Sequence, residues 1–314
     1  MLCIYRTFLP LLLCAVLLGL PLRGQEEAIF RADTRLVVLH TTVVDRNGKL
    51  VTDLPEKSFK VFENGVEQPI KIFRREDIPV ALGLVIDGSA SMRDKREKVE
   101  AAALQLVKAS HSEDQVFIVN FNDEAYLDCP FTNSISKLEE GLSRIDSRGS
   151  TALYSAISMS IDYVRKGSKS DKKILFVVSD GENNLGSSSV EQVIKEAQQA
   201  EVVIYSIGLL SEEDKGAARR AKRDLDMVTE ATGGFPYYPE QLTEVNEIAL
   251  RVAHEVRNQY TIAYTPSNAA LDGSYRQIRV SVEGPDRPVA RTRTGYYAAP
   301  ESRSRPPAAK PASK

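Results

Sequence analysis

The sequence predicts an α/β protein: a doubly wound, mainly parallel sheet, flanked on both sides by short β-strands that together make a small sandwich-like domain. Three observations carry that expectation. Between Asp77 and Tyr260, apolar runs alternate with segments whose apolar residues recur near the helical period. The runs are near-continuous Val, Ile and Leu, as in parallel strands buried on both faces. Outside that zone, from Thr34 to Arg75 and from Asn258 to Tyr297, the pattern changes to short alternating strands.

In chain order, LVVLHTTVVDRNGKLV carries Asn47-Gly48 between two β-rich runs, and KVFENGVEQPIKIF repeats the device at Asn64-Gly65. Both pairs tolerate positive φ, so each is a hairpin signal, and this flank should hold about four strands. The middle zone offers strands at Val80–Ile86, Gln115–Phe121, Lys173–Val178 and Val202–Ile207. Helices are expected in KVEAAALQLVKAS, TALYSAISMSIDYVRKG and VEQVIKEAQQA, with a last one over Leu242–Val256. AYLDCPFT follows Phe121 after a short NDE turn and reads as an antiparallel edge strand. The last zone, QYTIAYTP, YRQIRVSVEG and ARTRTGYY, adds about three strands. Neither flank can cover its own apolar face, but together they reach roughly the seven strands of an immunoglobulin-like sandwich. The favoured organisation is therefore one β domain, residues 25–76 plus 258–298, with the α/β unit 77–257 inserted in it. The alternative is two separate appendages packed on that unit.

Composition narrows the function. A net charge of −2 gives no basic face for nucleic acid, and three histidines leave little for a multi-histidine zinc site. Residues 1–24 read as a signal peptide: Arg6 precedes a leucine-rich core and small, turn-forming residues follow. That core, Phe8 to Leu20, holds a proline and falls short of the ~20 residues of a spanning helix. The expectation is export, to the periplasm or the medium, with no stable membrane insertion after cleavage; an uncleaved anchor is the competing reading. Cleavage would leave Cys129 alone, a buried small residue rather than a disulfide partner. The tail 299–314, rich in Pro, Ala and basic residues, reads as disordered.

The chemistry sits in VALGLVIDGSASM, where an apolar strand stops on Asp87 and Ser89 and Ser91 follow on alternate positions. Lys173–Val178 ends in VVSDGENN and puts Asp180 at the same sheet edge, while DSRGSTALYSAI sets Thr151 at a helix start after Gly149. Ligands of open parallel sheets gather outside the carboxyl ends of the strands. Two carboxylates and three hydroxyls form an all-oxygen set, which suits Mg2+ with its six oxygen ligands and retained waters. Two acids would balance a divalent ion and leave it able to accept a carboxylate from a partner. D-x-S-x-S alone is a weak signal, and the three loops in order make it specific.

On those residues the middle zone resembles a von Willebrand factor type A domain over about 180 residues. Asp87, Ser89, Ser91, Thr151 and Asp180 match the family's metal-ion-dependent adhesion site. The resemblance implies a Rossmann-like sheet and a divalent ion, usually Mg2+ and sometimes Mn2+ or Ca2+, that bridges to an Asp or Glu of a protein partner. It implies that the serines and the threonine ligate directly, while Asp87 and Asp180 act mainly through water or hydrogen bonds. Ser150 stands where many relatives have a second glycine. The phrases VTDLPEKSFKVFENG and TRTGYY also resemble those of bacterial secreted proteins related to this family.

An adhesion or assembly module, not an enzyme, is the expectation. The alternative is a metal-dependent phosphohydrolase using Asp87 as nucleophile. Against it, Ser89 replaces the second acid of a D-x-D pair, and no G-x-S-x-G, Walker or H-E-x-x-H string occurs. Nor does a His, Cys or Lys stand beside the site as a general base. A third reading, the ion as a fold staple, suits mostly neutral donors poorly. Among other residues, Asp87 as a mere helix N-cap would leave Thr151 and Asp180 unexplained. Asp123 and Glu124 read as turn residues, and His40 and His254 as structural. Glu212 to Asp224 reads as a solvated helix face, and Tyr296 and Tyr297 as strand packing.

Overall fold

The computed structural model describes residues 36–299 apart from Glu76, Gly181, Glu182, Asn184, Gly186, Ser187, Glu212 and Glu213. The expected signal peptide and the tail from Pro300 lie outside the described residues. The first flank supplies β1 (Val37–Val44), β2 (Phe59–Glu63), β3 (Val66–Gln68) and β4 (Ile70–Arg74). The middle zone follows as β5 (Val80–Asp87), α1 (Arg96–Lys108), β6 (Gln115–Phe121), β7 (Ala125–Thr132), α2 (Ile135–Ser143) and α3 (Leu153–Gly167). It continues through β8 (Lys172–Ser179), α4 (Val190–Ala200), β9 (Val202–Gly208), α5 (Lys215–Thr232), β10 (Pro236–Tyr237) and α6 (Val245–Arg257). The last flank is β11 (Tyr260–Tyr264), β12 (Tyr275–Val282), β13 (Val289–Arg291) and β14 (Gly295–Tyr297).

The central sheet has the order β10-β9-β8-β5-β6-β7, parallel except for β7, which runs antiparallel along β6 as AYLDCPFT predicts. All of β5 is buried, and its residues alternate between the two faces. Leu82, Leu84 and Ile86 pack against α1, α2 and α6, while Ala81 and Val85 face α3, α4 and α5. Each such aliphatic side chain contributes about 1.5–3 kcal/mol on burial, so the middle of this sheet is strongly held. From β5 the chain crosses to β6 on one side, and from β8 it crosses to β9 on the other. The order therefore reverses between β5 and β8, and a crevice opens there, beyond their carboxyl ends.

The two flanks pair with each other. One sheet has the order β13-β1-β11-β4 and the other β14-β12-β2-β3, so each mixes strands from both ends of the chain. Leu39, Val61, Ile262, Ile278 and Tyr296 share one core between them. Phe59, Phe73 and Tyr260 add a cluster of tilted rings with centroids 4.9 to 5.5 Å apart. The buried carboxylate of Glu63 accepts hydrogen bonds from the hydroxyls of Tyr264 and Tyr296 at 2.7 and 3.0 Å. At the junction with the α/β unit, Arg257 pairs with Asp77 and with the buried Asp114.

Three details depart from the sequence reading. At Asn47-Gly48 the turn forms, but its second arm makes only the bridge Val44–Leu50 and no strand. The chain instead crosses to β2 in the other sheet. ARTRTGYY divides into the end of β13 and all of β14, which lie in different sheets, so the described flanks hold eight strands rather than seven. Helix α2 and strand β10 have no counterpart in the expected elements.

Candidate metal centre

Asp87 closes β5 and faces the β5/β8 crevice. One of its oxygens accepts the backbone N–H of Ser89 at 2.8 Å, which folds the chain back past Gly88. The other accepts the hydroxyl of Ser179, the last residue of β8, at 2.6 Å. The Ser89 and Ser91 hydroxyls lie 3.1 Å apart, and Ser91 donates to Asp180 at 2.5 Å. Four of the five expected residues are thus linked through side chains. Asp87, Ser89, Thr151 and Asp180 are buried, whereas Ser91 is exposed.

Thr151 joins this edge through its backbone. Gly149 C=O accepts from Ala90 N–H at 3.2 Å, Arg148 N–H donates to Gly88 C=O at 2.9 Å, and Leu185 N–H donates to Thr151 C=O at 3.2 Å. The loops after β5, before α3 and after β8 are stitched directly to one another. Gly149 has φ of +73°, and a Cβ there would stand 2.5 Å from Oδ2 of Asp123. That acid accepts the N–H of Ser150 at 2.7 Å. Asp123 is therefore more than the turn residue its NDE context implies: it sets the loop that carries Thr151. Ser179 is the second residue missed, and its only sequence signal is the serine preceding Asp180 in VVSDG.

Burial raises the Asp87 carboxyl to about 6, and the neighbouring charge of Asp180 acts in the same direction. The hydrogen bonds from Ser179 and Ser89 only partly offset this. A buried carboxylate with a second acid nearby is a place that favours positive charge. Among the described residues no three His, Cys, Asp or Glu side chains group as metal ligands. Any ion here would rest on two carboxylates plus hydroxyls, an oxygen-only set that fits a hard cation and not a nitrogen- or sulfur-seeking one.

Residues 82–182 match the family model for the von Willebrand factor type A domain, a span that contains all five of these side chains. Over that span the chain is similar to a von Willebrand factor type A domain. Its curated relative sll0103 of Synechocystis sp., an uncharacterized protein, is 26% identical over 114 residues, which are 35% of this chain and 27% of that protein. The match thus spans about a quarter of that relative's length. Among solved structures, the pilus adhesin SpaC of Lactobacillus rhamnosus GG has a TM-score of 0.50 at 10% identity, covering 76% of this chain and 42% of its own. A von Willebrand factor type A protein from Catenulispora acidiphila has a TM-score of 0.49 at 13% identity, covering 73% and 52%. At 10% identity SpaC speaks to the fold alone. Among the described residues no helix is long and apolar enough to cross a membrane.

Proposed function

We propose that this chain is an exported adhesion or assembly module. In this reading it captures an Asp or Glu side chain of a protein partner through a divalent cation held by Asp87, Ser89, Ser91, Thr151 and Asp180. The observation that carries the reading is the hydrogen-bonded series Ser179–Asp87–Ser89–Ser91–Asp180 at the β5/β8 crevice. When bound, the cation supplies Lewis acidity toward a carboxylate oxygen from outside. The chain's own residues do the positioning. Ser179 and the Ser89 N–H fix both oxygens of Asp87, and Asp123 holds the Thr151 loop in place. Ser91, the exposed member, marks the side from which a partner would approach. Residues 77–257 carry the binding, and residues 25–76 with 258–298 serve as one platform.

The test uses Mn2+ as a spectroscopic probe, followed by partner capture in Mg2+ and in EDTA. The expected result is saturable Mn2+ binding and cation-dependent capture, both lost in Ser89→Ala/Ser91→Ala while the fold is retained. Capture that persists unchanged in EDTA overturns the reading. So does multiple turnover of a phosphate ester that disappears in Asp87→Asn, which would establish the phosphohydrolase instead.

A further inference from the structure

A cavity of about 590 Å³ opens between the end of α5, the residues that enter β10, and the strands β12 and β13. Phe235 and Tyr238, both half-buried, give it two aromatic faces. Two strand edges border it, one from each sheet of the sandwich.

β13 is the last strand of its sheet and pairs only with β1. Val43 C=O accepts from Val51 N–H, and Asp45 N–H donates to Lys49 C=O, both at 2.8 Å, so these two residues face away from β13. Backbone groups alternate sides along a strand, so it is Thr42 and Val44 that bond Arg291 and Val289. Ala290, between them, turns its N–H and C=O outward, where no backbone group of the described residues meets them. β12 repeats the arrangement. Ile278 N–H donates to Thr294 C=O at 2.7 Å on the side away from β2, so Val280 faces that side too. The β14 ladder does not reach it, covering only Tyr275 to Gln277. The side chains of Ala290 and Val280 pack on the sandwich core, so it is backbone that they present to the cavity. Unmade backbone groups along an edge are what an added strand pairs with.

The charges of the lining select the kind of strand. Lys222 pairs with Asp226 at 3.0 Å and caps the Tyr238 ring. Arg279 is exposed and Arg291 half-buried, and their guanidinium carbons stand 4.2 and 3.8 Å from the centroids of Phe62 and Phe235. Among the described residues neither arginine forms an ion pair. Arg291 also acts on the buried Glu255, but that carboxylate takes its hydrogen bond from Tyr237. Glu230, exposed at the rim, is the other acid of the lining. We propose that this cavity takes an extended, acidic segment of a protein partner, which adds to the free edge of β13 at Ala290 and sets its carboxylates on Arg279 and Arg291. An apolar side chain of the segment lies against Phe235 and Tyr238. None of these residues belongs to the metal centre, so the proposal stands apart from that reading.

The test measures fluorescence anisotropy of a labelled, capped hexapeptide, Val-Glu-Val-Glu-Val-Ser, on the full chain in EDTA, which silences the metal centre. The expected result is saturable binding that falls about tenfold or more when alternate amides of the peptide are N-methylated, or when lysine replaces its glutamates. Ala290→Pro deletes an N–H that makes no bond to β1, so the ladder survives while binding should weaken several-fold. Arg279→Met, at an exposed position, should weaken it several-fold as well. If Ala290→Pro does not fold, the N-methylated peptide tests the pairing on the unaltered chain. No saturable binding, equal binding of the methylated or lysine peptide, or unchanged affinity in Arg279→Met or in folded Ala290→Pro overturns the proposal. So does a dimer of the chain alone, seen by sedimentation and lost in Ala290→Pro, which would assign the edge to a second copy.

Discussion

The two ends of the central sheet lack opposite charges. At the carboxyl end, β5 and β8 deliver Asp87 and Asp180 into buried positions, and burial pushes the Asp87 carboxyl up to about 6. At the amino end buried basic groups stand beside a buried acid, Asp114, which Arg257 pairs. Burial holds the Lys172 ammonium down to about 8, with its Nζ donating to the last turn of α6 at Val256 C=O. Burial, then the charges of Lys172, Arg293 and Lys173, hold His40 down to about 3. One edge buries two acids close together, and the other buries Lys172 and Arg293 with the paired Asp114. The same parallel strands serve both, because their two ends present different backbone groups and different loops.

The largest expected effect breaks the cation-seeking end alone. Ser89→Ala/Ser91→Ala should weaken Mn2+ binding by about 100-fold or more, measured by electron paramagnetic resonance, since even residues behind the ligands cost 10–100-fold at metal sites. Its melting temperature in EDTA should stay close to that of the parent. A large loss of stability there would mean that the serines chiefly support the fold. The next effect reads the basic end through pH. The folded pKa of His40, about 3, lies below the unfolded 6.5, so its contribution to stability is complete above 6.5 and is lost as pH falls from 6.5 toward 3. The slope from this group is at most ~1.4 kcal/mol per pH unit, and urea titrations of His40→Gln should be flatter over that window. Lys172 adds a second rise in stability between about 8 and 10.5, again because the unfolded chain holds the proton more tightly. A third, smaller effect sharpens the comparison: Gly149→Ala forces a Cβ into a left-handed residue against Asp123 and should cost about 1–2 kcal/mol by denaturation. It should also lower Mn2+ affinity.

Much of this architecture is legible in the residues. β6 and α4 begin and end where the pattern of apolar residues predicts, because a strand buried on both faces and a strongly amphipathic helix leave little choice of register, and the edge strand β7 matches in extent as well. Helix α2 was not. ISKLEEGLS is short, with three inward-facing positions, and its Gly141 lets the helix lie close to β7, since a side chain there would meet Cys129 at 2.9 Å. β10 is two residues long and exists only because β9 offers an edge. At the candidate site, Asp87, Ser89, Ser91, Thr151 and Asp180 are all readable by type and spacing, and the structure brings their loops to one edge. Asp123 is not readable in this way. Its role rests on a hydrogen bond to a residue 27 positions away, and no local pattern encodes that.

The pairing of β1 with β11 has a mechanical consequence. Val37 lies opposite Tyr264 and Thr41 opposite Tyr260, so the start of β1 is at the end of the ladder remote from the inserted unit. Traction on that unit, with the chain held ahead of β1, pulls the two strands past one another along their length. Such a load is shared by the whole ladder at once rather than opening it rung by rung, so the inserted unit sits on a seat that resists tearing.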